Sequence, residues 1–255
     1  MRGPAGKRRE RLLYLISPIG LIAVWQVLLM LGIGDRRFTP APSDIAQRFV
    51  KLIASGELEW HTAVTLYRVL VGYVIGAVPA VAVGLCMAMF NPVRIFFDPL
   101  IAALFPIPKI ALMPLLLLAF GFGDASKIAL VAIAVFFPVV VNTYVGAANI
   151  EKIYWDVAKN YGASQLVLFR RIVFFGALPT IFAGLRIALA VSFIVLVASE
   201  FVATKSGIGY LIWNSWELLQ VDVMFVGIVT IGVLGLITSV LFAEIERKAI
   251  PWKRD

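Results

Sequence analysis

The stretch Trp155-Asp-Val-Ala-Lys-Asn-Tyr-Gly-Ala-Ser164 lies between two long apolar runs of the chain. It is a short amphipathic segment of helix-forming residues with a glycine near its end. Because its neighbours are apolar enough to lie in lipid, this segment is what the chain presents to a soluble partner. We therefore expect a membrane protein that a second protein drives. Basic residues lie in and around the segment: Lys152, Lys159, Arg170 and Arg171.

The composition of the 255-residue chain is that of a protein surrounded by lipid. Hydrophobic residues make up 61% and charged residues 15%, whereas soluble domains carry about 25% charged residues. The mean hydropathy is +0.94. The net charge of +8 does not indicate nucleic-acid binding, because the basic residues lie at helix ends and in the tails, as membrane topology requires. The single cysteine, Cys86, lies in an apolar run, which excludes a disulfide framework or a cysteine metal site.

The hydropathy pattern predicts an all-α integral membrane protein with about six spans, since a span takes about 20 apolar residues. The segment before the first span is basic, but the apolar core is too long for a signal peptide and no small-residue cleavage site follows it, so we expect an uncleaved anchor. The predicted spans are Leu12–Leu31, Val64–Met89, Leu100–Phe120, Ile128–Ala148, Ala177–Ala198 and Met224–Ala243.

The distribution of Lys and Arg outside the spans predicts the topology. Fourteen lie on the side of the N-terminal tail, the 149–176 loop and the C-terminal tail, and six lie on the other side. By the positive-inside rule, both termini and the 149–176 loop face the cytoplasm. The predicted regions are a basic cytoplasmic tail (1–11), a first span (12–31), a periplasmic loop (32–63), a core of five spans (64–250) and a cytoplasmic tail (251–255).

Both larger outer loops carry features of their own. In the first, Ile45, Phe49, Leu52 and Ile53 share one helical face, which predicts an amphipathic helix over 43–55 on the outer membrane surface. Ser43 is its expected N-cap and Gly56 its expected stop. In the second, 201–222, two tryptophans fit either the membrane interface or a docking surface for a periplasmic partner.

The chain shows no catalytic or metal-binding pattern. Its one histidine, His61, has no second histidine or thiolate to join it, whereas metal sites need three or four ligands, so we interpret it as an interfacial polar residue. No GxxxxGK[ST] loop occurs, so the chain does not bind ATP by itself. No Gly-x-Ser-x-Gly elbow is present either. We expect a chain that is not an enzyme and holds no cofactor.

Four charged residues lie within or close to apolar runs: Arg68, Lys109, Arg186 and Glu200. An ionised side chain in lipid costs at least about 2.5–3.5 kcal/mol, so each should face protein or water. Arg68 and Glu200 lie near the predicted outer ends, where we expect them to snorkel to the interface. Arg186 is expected to brace the bundle or to cap carbonyl groups.

Lys109 lies in Phe105-Pro-Ile-Pro-Lys-Ile-Ala-Leu-Met-Pro114, in an otherwise apolar run. Three prolines break a helix, and broken backbone at membrane depth needs protein or a wet cavity around it. Transporters place substrate sites at such breaks, so Lys109 either lines a translocation path for an anionic or dipolar solute or belongs to a structural kink with an ion pair. The other candidate path residues are Pro108, Met113, Pro114 and Glu200.

The opening stretch resembles the EAA loop of the permease subunits of ABC importers, whose usual form is Glu-Ala-Ala-x3-Gly-x9-Ile-x-Leu-Pro. Asp156-Val-Ala158, Gly162 and Ile172 match its spacing. Asp replaces Glu, Val replaces the first Ala, and Phe174-Phe175 replaces Leu-Pro, although a Leu-Pro pair follows at 178–179.

Further blocks resemble the nitrate/sulfonate/taurine branch of that family, and together they cover the chain from about residue 10 to 245. They are Pro40-x-Pro-Ser, Gly56-Glu-Leu followed by His61 to Arg68, the Pro108–Pro114 run, and Glu200 with Gly207-Ile-Gly-Tyr-Leu211.

The resemblance implies a type I importer permease in a bacterial cytoplasmic (inner) membrane. Two permease subunits, most often identical, would enclose a pathway, a solute-binding protein would deliver cargo, and two cytoplasmic ATPase subunits would hold ATP and Mg. Each ATPase would receive the helix over 151–165. Asp156 would lie near the start of this helix, where a carboxylate suits the helix dipole. The small residues at 158 and 162 would form a face that lets the backbone or an aromatic ring of the partner approach closely. The coupling residues that it implies are Asp156, Val157, Ala158, Tyr161, Gly162 and Ala163.

Other classes of protein remain open. A secondary transporter is the first alternative, and it would show inverted repeats and mid-span ion ligands. A non-transporting scaffold needs neither, and a membrane-embedded enzyme would need a polar cluster that the sequence lacks. The solute cannot be read from the sequence, although Lys109 favours an anion.

Overall fold

The computed structural model describes residues 19–202 and 204–252, and this part of the chain is helical and contains no strand. The predicted tail 1–11, the first residues of the predicted first span and residues 253–255 lie outside the described residues. The helices are α1 (Ile19–Met30), α2 (Pro42–Ala54), α3 (Glu57–Met89), α4 (Asn91–Leu104), α5 (Met113–Phe120), α6 (Asp124–Ala148), α7 (Lys152–Asn160), α8 (Gln165–Leu168), α9 (Phe174–Glu200), α10 (Ile208–Glu217) and α11 (Val221–Ala249).

Four helical units of the described chain are long and apolar enough to cross a membrane. They are α3, α6, α11 and a continuous helix Gln165–Glu200, in which α8 joins α9 through one wide turn with π-type hydrogen bonding. Each contains one of the predicted spans. α3 begins seven residues before the predicted span, which starts at Val64. The first two turns of α3 carry charged residues and so do not look like a membrane span, but Leu58 and His61 in these turns are buried against protein.

The third predicted span is broken in the middle. α4 ends at Leu104, and the chain resumes as a short 3₁₀ turn, Lys109–Leu112, that continues into α5, at an angle of 94° to α4. The prolines at 106 and 108 explain the break, because they remove backbone donors from the helical ladder. The broken backbone expected from the sequence is therefore confirmed.

The core forms where α3, α6 and α9 pack side by side. Val69, Val131 and Leu196, one from each helix, are essentially inaccessible. Membrane helices approach closely where small residues line the contact. Gly76 of α3 shows this, because a Cβ atom there would collide with the carbonyl group of Ala132 in α6.

α2 begins and packs differently from the prediction. Ala41 is the N-cap, Pro42 is the first helical residue, and Asp44 Oδ2 accepts the Ala41 N–H at 3.3 Å. The expected N-cap at Ser43 is therefore wrong by two residues. Gly56, with φ +75°, lies between the end of α2 and the start of α3, where a left-handed residue commonly ends a helix.

The apolar face of α2 is covered by the protein itself. Ile45 and Leu52 are buried in a cluster with Leu211 of α10 and Val226 of α11, and only Ile53 of the predicted face is substantially exposed, at 44%. The interpretation of α2 as a helix that lies with this face on the membrane surface is therefore wrong. Packing against α10 and α11 removes the same apolar area from water.

Candidate functional site at α7 and within the bundle

α7 is a separate short helix that ends in a glycine turn. The N–H of Tyr161 donates to Val157 O at 3.1 Å, and the N–H of Ala163 donates to Ala158 O at 2.9 Å. Gly162 has φ +71°. This is the Schellman ending, in which a left-handed residue stops the helix. The single helix predicted over 151–165 is therefore two helices, and α8 starts after Ser164, whose Oγ accepts the Val167 N–H at 3.4 Å.

Two predicted roles change with these bounds. Asp156 is the fifth residue of α7, exposed and away from the positive end of the helix dipole. Gly162 does not share a helical face with Ala158, since it lies beyond the helix end with open space around its Cα. The glycine is required by the backbone conformation, because residues with a side chain adopt this region at a cost.

α7 is anchored on one side and exposes apolar side chains on the other. Trp155 packs against the cluster of Leu85, Val173 and Ala177 at one end of the bundle. Val157 and Tyr161 are among the coupling residues that the resemblance implies, whereas Ile153 and Tyr154 are not. The spacing of Ile153 and Tyr154 to Val157 places them on the neighbouring turn of the same helix. The exposed fractions are 60% for Ile153, 55% for Tyr154, 47% for Val157 and 89% for Tyr161.

Lys109 caps the broken helix. Its Nζ donates to the carbonyl oxygens of Leu104 (2.8 Å), Phe105 (3.1 Å) and Ile107 (2.9 Å), and it lies 4.1 Å from the centre of the Phe137 ring. Within the described residues, no carboxylate forms a salt bridge with Lys109. The ammonium group thus supplies donors to the proline-containing segment, and of the structural alternative the kink is observed but the ion pair is not.

The other candidate path residues divide into two groups. Pro108 and Pro114 are exposed beside Lys109, which borders a cavity of about 480 Å³ between the break, α3 and α6. Met113 and Glu200 are 3% and 1% exposed. Neither of these two side chains lines an open surface of this structure, and their assignment to a path stays a prediction.

Arg68 and Glu200 form a buried ion pair, with Arg68 Nη1 2.7 Å from Glu200 Oε1. They are 2% and 1% exposed, so the expectation that they snorkel is wrong. Asp124, at the start of α6, accepts from Arg68 Nε (2.8 Å) and Nη2 (2.6 Å) with the same oxygen, Oδ1. The cluster is supplied by three helices that are far apart in sequence, α3, α6 and α9. No sequence pattern within one of these helices predicts that the three side chains meet.

Polar groups around the pair complete its hydrogen bonding. Thr65 Oγ1 donates to the Glu200 carboxylate at 3.0 Å, and the N–H of Gly209 donates to Glu200 Oε2 at 2.9 Å. His61 is 7% exposed, and its Nδ1 accepts the Gly207 N–H at 3.0 Å. His61 is thus a structural polar residue, and the described residues contain no group of three metal-ligating side chains.

Arg186 and Glu246 join α9 to α11, with Arg186 Nη2 2.5 Å from Glu246 Oε2. The predicted bracing role of Arg186 is confirmed. Within the described residues, the long apolar helices, the broken helix and the exposed amphipathic helix α7 between two of them are features of a multi-pass membrane protein.

The comparisons with known proteins agree with this class. The model of the family "Binding-protein-dependent transport system inner membrane component" matches residues 72–251. The chain belongs to this family.

Relatives with known names cover nearly the whole chain. The permease protein SsuC of Escherichia coli (strain K12), named for aliphatic sulfonates transport, is 36% identical over 99% of this chain and 96% of its own length. SsuC of Bacillus subtilis (strain 168) is 32% identical over 99% and 91%. The taurine transport system permease protein TauC of Escherichia coli (strain K12) is 29% identical over 91% and 86%. The resemblance to the nitrate/sulfonate/taurine branch is confirmed.

A solved structure has the same fold. A chain of the crystal structure of an amino acid ABC transporter with histidines superposes with a TM-score of 0.58, covering 82% of this chain and 97% of that chain at 16% identity. This likeness shows the fold, and together with the family match it confirms the predicted fold class, an all-α permease of the type I importer kind.

Proposed function

We propose that this chain is the permease subunit of an ATP-driven importer of small organic sulfonates, either alkanesulfonates or taurine. Near full-length similarity to two proteins named for aliphatic sulfonates and to one named for taurine carries the proposal. Each of these solutes has a compact anionic head, which agrees with the anionic solute predicted from the sequence.

The ATPase contact is proposed at α7. Three apolar or aromatic side chains of this short helix and Tyr161, directly after it, are exposed, whereas Trp155 packs the helix against the bundle. Apolar and aromatic residues exposed together on a rigid element are typical of a protein interface. ATP and Mg would be bound by two ATPase subunits, and this chain would hold no cofactor.

The complete importer is proposed to contain two copies of this chain, two ATPase subunits and a solute-binding protein on the outer side. Both termini and α7 face the cytoplasm in this proposal, and the membrane is the bacterial inner membrane. Closure of the ATPases on ATP would press the two α7 helices together and rock the bundles from inward-open to outward-open. Hydrolysis would reset them.

Disruption of the gene in the source organism tests the substrate. We expect loss of growth with taurine or an alkanesulfonate as the sole sulfur source, and unchanged growth with sulfate, which serves as the matched control. The intact gene should restore growth. Unchanged growth on every sulfonate would refute the substrate assignment and favour the scaffold alternative.

Energy coupling needs a separate measurement. In proteoliposomes that contain the permease with its ATPase subunits and binding protein, labelled sulfonate should accumulate only when ATP is enclosed with the ATPases. Accumulation that follows an ion gradient without ATP would instead identify a secondary transporter.

A further inference from the structure

The end of the bundle opposite α7 holds the distal network, which we define as Arg68, Asp124, Glu200 and the segment 204–209. One continuous helix, Gln165–Glu200, reaches from the turn after α7 to this network. At 1.5 Å per residue, its 36 residues span about 54 Å. Glu200 is the last residue of that helix. This helix, which includes the π-type turn and Pro179, therefore connects the α7 end to the Glu200 carboxylate without a break.

Two charged groups of the network hold the segment 204–209. Arg68 Nη1 donates to the backbone oxygen of Ser206 at 2.8 Å, and Arg68 Nη2 donates to Ser206 Oγ at 3.0 Å. Glu200 Oε2 accepts the N–H of Gly209, in the first turn of α10, at 2.9 Å. The ion pair between Arg68 and Glu200 thus joins the end of α9 to the start of α10 through charge-assisted hydrogen bonds, which are the strong kind.

Close packing leaves the start of α10 no room to slide on α9. A Cβ atom at Gly207 would collide with the Glu200 carboxylate, and one at Gly209 would lie 2.5 Å from Val197 O. Gly207 also has φ +107°, which favours glycine. The first turn of α10 therefore lies directly on the last turn of α9 and must move with it or break the network.

We infer that Glu200 and Arg68 are positioning residues that transmit a displacement of α9 to α10 during transport. This inference rests on the proposed function, in which an ATPase acts at α7. Asp124 and Lys127 from α6, and His61 and Thr65 from α3, are the other charged and polar groups at the network. Asp124 binds Arg68 from the α6 side, so the pair has a fixed support against which α9 moves.

The test compares Glu200→Gln with Glu244→Gln. The first neutralises the buried partner of Arg68 and keeps its shape, whereas the second removes the same charge from an exposed pair with Arg247. Both are made with Cys86→Ser and Lys205→Cys, because Lys205 is the exposed residue of the segment 204–209 and therefore reports on its position. The permease is reconstituted in nanodiscs with its ATPase, and the rate of maleimide labelling at position 205 is measured without nucleotide and after trapping with ATP and vanadate.

In the Glu244→Gln protein we expect a labelling rate that changes between the two states. In the Glu200→Gln protein we expect that change to be reduced at least about fivefold, the lower range of allosteric coupling, with unchanged ATPase binding. A merely structural role would lower the melting temperature and leave the change in labelling intact. Equal responses in the two proteins, or no response in the control, would overturn the inference.

Two further measurements keep the outcomes separate. If Glu200→Gln does not insert into the membrane, Asp124→Asn takes its place, because it neutralises the half-exposed carboxylate that binds Arg68. This variant must then also reduce the change in labelling rate between the two states. Co-purification of the ATPase is scored in each sample. Loss of co-purification from all proteins refutes the proposed function, whereas retained co-purification with equal labelling responses refutes only the transmission by Glu200.

Discussion

Lys109 shows how one residue acquires a role through its neighbours. The sequence places a lysine among prolines in an apolar run, and this pattern is equally compatible with a path residue and with a structural kink. The structure directs the ammonium group to three carbonyl oxygens at the end of α4. A lysine carries three donors, so its hydrogen-bonding capacity is used within the subunit.

Lys109→Met should therefore destabilise the protein. The substitution leaves three backbone carbonyl oxygens without their donor, and an acceptor left unpaired away from water costs about 1–3 kcal/mol. We therefore expect a lower melting temperature of the purified permease in detergent. Lys205→Met, which removes an exposed lysine, is the control and should leave the melting temperature unchanged. Loss of uptake at full thermal stability would show instead that Lys109 acts on the solute.

Gly162 is also defined by its backbone. With φ +71° and open space around it, a methyl group meets no atom but requires a left-handed conformation that costs about 1–2 kcal/mol. Gly162→Ala should shift the end of α7 and weaken co-purification of the ATPase, and Gly162→Trp should do so more strongly, with normal membrane insertion of both. Gly235→Ala, inside α11 with no atom nearby, is the control. Wild-type co-purification of Gly162→Trp would contradict the coupling role.

α7 is a short helix with exposed apolar side chains, and Tyr161 follows its last residue. Tyr161 is 89% exposed, so Tyr161→Asp should leave the subunit folded while placing a charge in the proposed ATPase contact. We expect loss of ATPase co-purification, because an unpaired charge in an interface is costly. Asn160→Asp adds the same charge one residue away without removing an aromatic ring. Equal co-purification of the two variants would exclude Tyr161 from the interface.

Helices whose bounds depend on neighbouring residues are predictable from the sequence, whereas contacts between distant segments are not. Apolar runs and prolines act locally, so α6, α11 and the broken third span were found near their observed places. The bounds of α2 and α7 were less accurate, since a proline at the first helical position and a glycine turn decide them. The face on which α2 packs depends on α10 and α11, about 160 residues further along the chain, and no periodicity in α2 reveals those partners.

For the molecule as a whole, the topology is the prediction with the widest consequences. Tyr161→Cys in a Cys86→Ser chain should react with a membrane-impermeant maleimide only after the cells are permeabilised, because the positive-inside rule places α7 in the cytoplasm. Lys51→Cys, on the exposed side of α2, should react in intact cells. The opposite pattern would place α7 outside and remove the proposed contact with a cytoplasmic ATPase.

Composition and local pattern alone establish that this chain is a helical membrane protein and place its long spans, and they predict a contact for a partner at the segment around Gly162. These features follow from hydropathy, proline and glycine, which act within a few residues. Tertiary packing alone decides that Arg68, Asp124 and Glu200 meet, that Lys109 binds carbonyl groups and that α2 is covered by protein. Buried charges must find partners wherever the fold brings them, and the two charges of the buried pair, Arg68 and Glu200, lie 132 residues apart in the sequence.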